Sequence, residues 1–349
     1  MLDDVEVTDV KIYNGPTFVG DAVFVEGARP DVEAAYPNHP LNYRAGWGYM
    51  MLTNFLPNNG NGTYTFYAKA TDKEGNQVVL GSKTVYLDNN NAVKPFGAID
   101  TPAQGGAASG NSFINWGWVL TPQPNSIAID GSTINVYVDG VKLGHPVYNI
   151  YRSDIAGLFP GYANTNGAVG YFYLDTTGYS NGVHSIQWTA ADSAGNTDGI
   201  GSRYFIIQNT SSDQQFRKNG MAPLRQRPIP GIAVNYSEPI SVIKGYNGNI
   251  EPHTIYPGDN GITNIEIKEL QLVKISLGNA TGVYDGYLKV GNHLRNLPIG
   301  STLDKEKGIF YWHPGPAFIG DYEFSFLQSR RRLIEKKIVI HIVPYNSIR

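Results

Sequence analysis

Residues 61–89 and 181–209 align without a gap at a constant offset of 120. Each copy opens with Asn-Gly, places an Ala two residues before an Asp, continues with Gly-Asn and Gly-Ser, and closes on Asn. Tyr64, Phe66, Ala68 and Ala70 occupy alternate positions in the first copy, and His184, Ile186, Trp188 and Ala190 take the same places in the second. Apolar residues spaced by two line one face of a β-strand. Turn residues from Asp72 to Asn76 and from Asp192 to Asn196 interrupt the alternation. Val85 with Leu87, and Phe205 with Ile207, resume it, so each copy predicts a β-hairpin.

The repeat extends upstream. Arg29, Asp31, Val32, Tyr36 and Pro37 match Arg152, Asp154, Ile155, Phe159 and Pro160, and Asn42 with Gly46 matches Asn166 with Gly170. The offset drifts only from 123 to 124, the mark of short loop insertions between whole repeated units. Val7–Tyr13 and Ile134–Val138 also alternate, the second ending in an Asp139-Gly140 hairpin turn. Units of about 90 to 115 residues are large enough to bury their own cores.

The stretch Asn61-Gly62-Thr63-Tyr64-Thr65, followed by Ala68, Ala70, Asp72 and Gly75-Asn76, resembles the last hairpin of bacterial Ig-like domains. Those domains recur in tandem in exported and surface-anchored proteins. The second unit is similar over its length to an Ig-like module of large uncharacterised bacterial proteins, through Asn115-Trp116-Gly117-Trp118, Asp130-Gly131-Ser132-Thr133, Tyr151-Arg152-Ser153-Asp154-Ile155 and Gly201-Ser202-Arg203-Tyr204-Phe205. It departs from the first at His184, which stands where Tyr64 would make a tyrosine-corner bond. Further on, Leu297–Asp304 with Gly308, Phe310, Trp312, Pro314, Gly315 and Gly320 resembles the Ig-like or cadherin-like repeat of bacterial surface proteins, over about residues 283–344. These resemblances imply an all-β fold of three tandem Ig-like β-sandwich domains with a structural or adhesive role, and no enzyme activity.

The junction from Asp88-Asn89-Asn90-Asn91 to Val93-Lys94-Pro95 is short, which predicts an elongated arrangement. The expected domains are 1–92, 93–209 and 264–349. Residues 210–263 read as an extended linker rich in Pro and Gly, with short strands near Ile240–Ile243 and His253–Tyr256. It carries a basic cluster, Arg217, Lys218, Arg225 and Arg227.

Charged residues make up 16% of the chain and tyrosines number 23, the balance of a polar, weakly ionic surface such as secreted β proteins present. A net charge of −3 speaks against nucleic acid as a partner. Residues 1–94 and 95–209 each carry −4 while 210–349 carry +5. An acidic front and a basic rear would favour head-to-tail self-association, or contact with another cell-surface protein, the alternative being that independent domains differ in charge by chance. With no cysteine, the cores are held by apolar burial, Trp188 filling space beside the position that Ala68 holds in the other copy. No apolar run of 18 residues is present to span a membrane, and Met1-Leu2-Asp3-Asp4 lacks the basic start of a signal peptide. The expected location is extracellular or at the cell surface, with this chain a mature or truncated piece.

Chemistry-bearing motifs are sparse. His39, His145, His184, His253, His293, His313 and His341 show no paired metal spacing. The glycine-rich stretch Gln104–Gly110 lacks the Lys-Ser/Thr ending of a phosphate loop and reads as a turn. Asp72, Asp192 and Asp304 are accounted for by turns, so no catalytic, cofactor-binding or metal residue is assigned. Calcium at a domain junction would draw on Asp72, Asp88 and Asp100. Tyr171 and Tyr173 share one strand face and, with Trp116 and Trp118, form a candidate sugar-stacking platform, core packing being the alternative. Candidate assembly contacts are the N-terminal strand, through Val5, Val7, Val10 and Ile12, as an added strand on a neighbour's sheet, and the charge run Arg330, Arg331 and Arg332. Two readings follow: a structural or adhesive segment that self-associates, and a carbohydrate-binding module.

Overall fold

The computed structural model describes residues 1–210, 232–246, 250–278, 282–329 and 333–345. Alternating apolar residues broken by turn sequences build three groups of strands. The first comprises β1 (Val7–Asn14), β2 (Thr17–Asp21), β3 (Val23–Val25), β4 (Gly46–Gly48), β5 (Asn61–Asp72) and β6 (Gln77–Asp88). Four of these form a sheet in the order β2-β1-β5-β6, and β3 with β4 forms a ribbon. Val10, Ile12 and Ala70 are buried at the centre, with Phe24 and Trp47 of the ribbon packed against them.

The second group comprises β7 (Phe96–Ile99), β8 (Ala107–Ala108), β9 (Phe113–Leu120), β10 (Ile134–Val138), β11 (Val141–Gly144), β12 (Val147–Ile150), β13 (Val169–Leu174), β14 (Gly182–Ala191) and β15 (Thr197–Ile207). One sheet runs β11-β10-β14-β15-β8 and the other β12-β13-β9-β7. Between them Ile134, Val136, Ile186, Trp188, Phe205 and Ile207 form a sandwich core. The glycine-rich stretch read as a turn holds β8, which runs parallel to β15 with Ala107 opposite Ile206. Asp139 and Gly140 both have positive φ, 46° and 76°, the geometry of the expected hairpin turn.

The repeat in sequence is a repeat in bonding. Asp72 Oδ1 accepts from the Glu74 and Asn76 amides, and Asp192 Oδ1 accepts from those of Ala194 and Asn196. The short helices Pro30–Ala35 and Ser153–Leu158 correspond, each preceded by an arginine that pairs with its first-turn aspartate. Tyr64 Oη donates to the Pro57 carbonyl at 2.5 Å, a tyrosine corner. In the second copy His184 replaces this bond with two others. Its Nε2 lies 2.8 Å from the Ser180 carbonyl and its Nδ1 2.6 Å from Asp139 Oδ2.

The third group comprises β16 (Ala233–Val234), β17 (Ile240–Lys244), β18 (His253–Ile255), β19 (Ile262–Lys268), β20 (Val273–Ser276), β21 (Val283–Val290), β22 (His293–Arg295), β23 (Ser301–Asp304), β24 (Ile309–Trp312), β25 (Gly320–Ser329) and β26 (Leu333–Val343). One sheet is β18-β17-β20-β24-β23, the other β16-β26-β25-β21-β22 with β19 also on β26. Phe310, Trp312, Tyr322, Phe324 and Phe326 fill the space between. The strands Ile240–Lys244 and His253–Ile255, within the stretch read as a linker, therefore belong to this sandwich. Ile240 and Val242 alternate into its core, a signal that the surrounding glycines and prolines mask. The basic cluster at 217–227 and Arg330, Arg331 and Arg332 lie outside the described residues.

The three sandwiches do not string out end to end as the short junction suggests. Val25 and Ala28 of the first unit and Tyr204 of the second enter the core of the third. Tyr322 Oη donates to the Ala28 carbonyl at 2.6 Å, and Arg295 pairs with the buried Glu33 at 2.5 Å. A short junction restricts orientation but does not make it straight; apolar surface on the first unit draws it back onto the third.

Candidate functional site

The outer face of the β12-β13-β9-β7 sheet divides in two. Register sets Val169 opposite Trp118, Tyr171 opposite Trp116 and Tyr173 opposite Ile114, so these side chains share that face. At one end the helix Ser153–Leu158 and the residue after it cover the sheet, and Trp118 is buried with Leu120, Ile155 and Phe159. Trp118 is therefore core and drops out of the platform. The other end is more exposed. Trp116 and Tyr171 are half-buried, their ring centroids 5.0 Å apart, while Tyr173 is 56% exposed and 5.3 Å from Tyr171.

The rings are inclined to one another by 54° and 75°, which makes a stepped ledge rather than a flat shelf. Exposed Ile114 and Val147 flank it. Thr101 fixes the tryptophan strand: its Oγ1 accepts from the Trp116 amide at 2.8 Å and donates to the Ile114 carbonyl at 3.0 Å. Arg152, just beyond β12, pairs with Asp100, just beyond β7, tying together the chain past the two edge strands. A ledge of this kind offers apolar ring surface beside polar groups, the combination on which sugar rings stack.

A second concavity was invisible in the sequence because its walls come from all three units. A cavity of about 480 Å³ is lined by Met50, Lys94, Gln187, Tyr246, His313 and Tyr345, among others. His313, which opens the loop after β24, lines it. Gln187 Nε2 donates to the His313 carbonyl at 2.9 Å, Tyr204 Oη donates to the Pro316 carbonyl at 3.0 Å, and Gly48 lies so close that a Cβ there would sit 2.3 Å from the Ala317 amide. Burial pushes the His313 imidazole down to about 3, so it is neutral, with Nε2 on the Leu270 carbonyl at 3.0 Å. Gln187 Oε1 and His313 Nδ1 have no partner among the described residues, leaving two acceptors at the cavity wall.

The other sequence candidates do not converge. Asp72 is bonded to Asn76, Asp88 to Asn91 and Asp100 to Arg152, and no group of three or more metal-ligating side chains occurs among the described residues. The N-terminal strand is not a free edge. β1 lies inside its sheet, paired with β2 on one side and β5 on the other, and Val10 and Ile12 are buried. Val5 precedes β1, and Val7 faces the same small core as Val10. Alternation marks a strand with a buried face, and such a strand belongs as readily to the middle of a sheet as to its edge. No helix among the described residues is long and apolar enough to cross a membrane.

Residues 26–89 match the model of the bacterial Ig-like domain family. Among solved structures, the fibronectin(III)-like modules of Clostridium thermocellum CbhA are 15% identical, with 64% of this chain and 87% of that chain covered and a TM-score of 0.23. SGBP-B of the Bacteroides ovatus mixed-linkage glucan utilization locus, solved with a mixed-linkage heptasaccharide, is 10% identical, with 97% of this chain and 60% of that chain covered and a TM-score of 0.20. The N-terminal Ig1-2 module of the Drosophila receptor protein tyrosine phosphatase DLAR is 9% identical, with 72% and 99% covered and a TM-score of 0.19. No curated protein matches the chain.

Proposed function

We propose that the chain is a non-enzymatic, extracellular structural or adhesive segment of a bacterial surface protein, built of units spanning about 1–92, 93–209 and 232–345. The observation that carries this reading is the loop after β24, where His313, Pro316 and Ala317 meet Gln187, Tyr204 and Gly48 and hold three sandwiches at fixed angles. Rigid spacing and presentation are what such a body supplies. In the bacterium that makes it, an amine reagent unable to cross membranes should label the chain on intact cells. Labelling that appears only after lysis rejects a surface role.

The open end of the aromatic face favours a second reading, in which the adhesive contact is with a glycan. Tyr173 is exposed, and the half-buried Tyr171 and Trp116 continue its ring surface along the sheet. Titration with soluble oligosaccharides should then change tryptophan emission, and Tyr173→Ala should weaken the response about tenfold without altering the fold. A chain that ignores every sugar offered has a ledge with no part in recognition.

A further inference from the structure

Arg203 on β15 precedes Phe205 and Ile207 at the spacing of a strand and shares their face, opposite Ile186 on β14. The matching position of the first unit is Lys83, which is exposed, whereas Arg203 is half-buried, with Tyr49 of the first unit near enough for its hydroxyl to feel the charge. Arg29, Arg44, Arg152 and Arg295 each have a carboxylate within 4.0 Å, and Arg203 has none among the described residues. Its Nη1 donates to the Ser202 carbonyl at 3.0 Å, and the rest of its N–H fork has no acceptor among the described residues. Asp100 attracts it from further off, but that carboxylate is bonded to Arg152. Burial outweighs the attraction of Asp100 and Tyr49 and pushes the guanidinium below its ordinary value, whereas the bond from Arg29 to Asp31 raises that arginine.

Arg203 lines a cleft of about 510 Å³ between the first two units, together with Met51, Leu52, Asn54, Phe96 and Tyr162. Lys94 and Asp198, also on its wall, pair with each other at 3.2 Å, so one cation is left over. A single charge on a planar fork suits a carboxylate, where a phosphate would call for a second free cation. The rings of Phe96 and Tyr162, with centroids 5.3 Å apart, supply apolar surface. The Tyr162 hydroxyl and the Asn54 side-chain amide have no hydrogen-bond partner among the described residues and are left to meet hydroxyl groups.

We propose that this cleft binds a uronic acid residue of a glycan, Arg203 holding its carboxylate and Asn54 with Tyr162 its hydroxyls. Tyr171, Tyr173 and Trp116 are not among the residues of the cleft wall, so the site is separate from the aromatic ledge and does not depend on it.

The test is an NMR titration of the whole chain with D-glucuronate, beside D-glucose as the uncharged match and acetate as the bare carboxylate. The amides of Gly199 and Gly201, on the cleft wall, should shift with glucuronate alone, and the binding should weaken as salt is raised. Arg203→Gln should weaken glucuronate about tenfold. Asn54→Ala should weaken it about threefold and carries the test if the first variant does not fold. Tyr173→Ala should leave it unchanged. Glucuronate that shifts neither glycine, or that binds both cleft variants as tightly as the unmodified chain, overturns the proposal. Acetate as effective as glucuronate overturns it as well, since the cleft would then hold a bare anion. Binding lost in Tyr173→Ala would put the sugar on the ledge instead and overturn it too.

Discussion

Trp188 anchors the second core, where its Nε1 donates to Asn115 Oδ1 at 2.6 Å inside a fully buried pair. Trp188→Ala should cost about 3–5 kcal/mol in urea unfolding, since the cavity cannot collapse between two sheets. Trp188→Phe keeps most of the volume but strands the Asn115 carbonyl, and should cost about 1–3 kcal/mol. Asp192 works through charge. Burial opposes its ionised form, yet bonds from Asn196, Thr121 and the amides of Asn196 and Ala194 outweigh that and hold its carboxyl below the ordinary range. The stability it contributes is present above the ordinary carboxyl value and is lost as pH falls toward the depressed one. Asp192→Asn should therefore flatten the acid limb of a plot of Tm against pH; an unchanged limb counts against the assignment. The turn role of Asp192 was legible because its partners lie within four residues. Its bond from Thr121, 71 positions away, left no local trace.

Among elements, hairpins were the most legible because turn chemistry is local. Asp139-Gly140 adopts the predicted geometry, but a second constraint on Gly140 came from elsewhere: a Cβ there would lie 3.2 Å from the Gly300 carbonyl and from the amides of Trp312 and His313. Gly140→Ala should cost about 1–2 kcal/mol from its positive φ, and more because it wedges the second unit from the third. Gly195→Ala, also at positive φ but with nothing within 4 Å, is the control that isolates backbone strain. Equal losses in thermal melts would show that the wedge contributes nothing. Strand position within a sheet was less legible than strand existence. The alternation of β1 does not say that both its edges are occupied, and β17 resembles linker because Ile240 and Val242 stand among glycines and prolines. The platform divided for the same reason: Trp116 and Trp118 are equivalent in sequence, and only the helix Ser153–Leu158, folded over one end of the face, separates them.

For the whole molecule, composition indicated the all-β class, and the repeat indicated tandem sandwiches. Their docking was not legible, because Glu33 and Arg295 are 262 residues apart and each alone resembles a surface charge. The opposed charges of front and rear meet, at this pair, within one molecule. Arg295→Ala leaves the buried Glu33 carboxylate without its ion-pair partner, at a cost of about 1–2 kcal/mol given the half-exposed arginine. It should loosen the first unit from the third, read as faster proteolysis near Ala28 with the second unit's melting unchanged. The same docking has a mechanical consequence. Under tension applied at the two ends, force passes from the first unit straight to the third through Ala28–Tyr322 and Glu33–Arg295, and the second unit is shielded. Once that clasp slips, the second unit enters the line of force and the chain lengthens with every strand still folded, a reserve of extension that a straight rod of three sandwiches would lack.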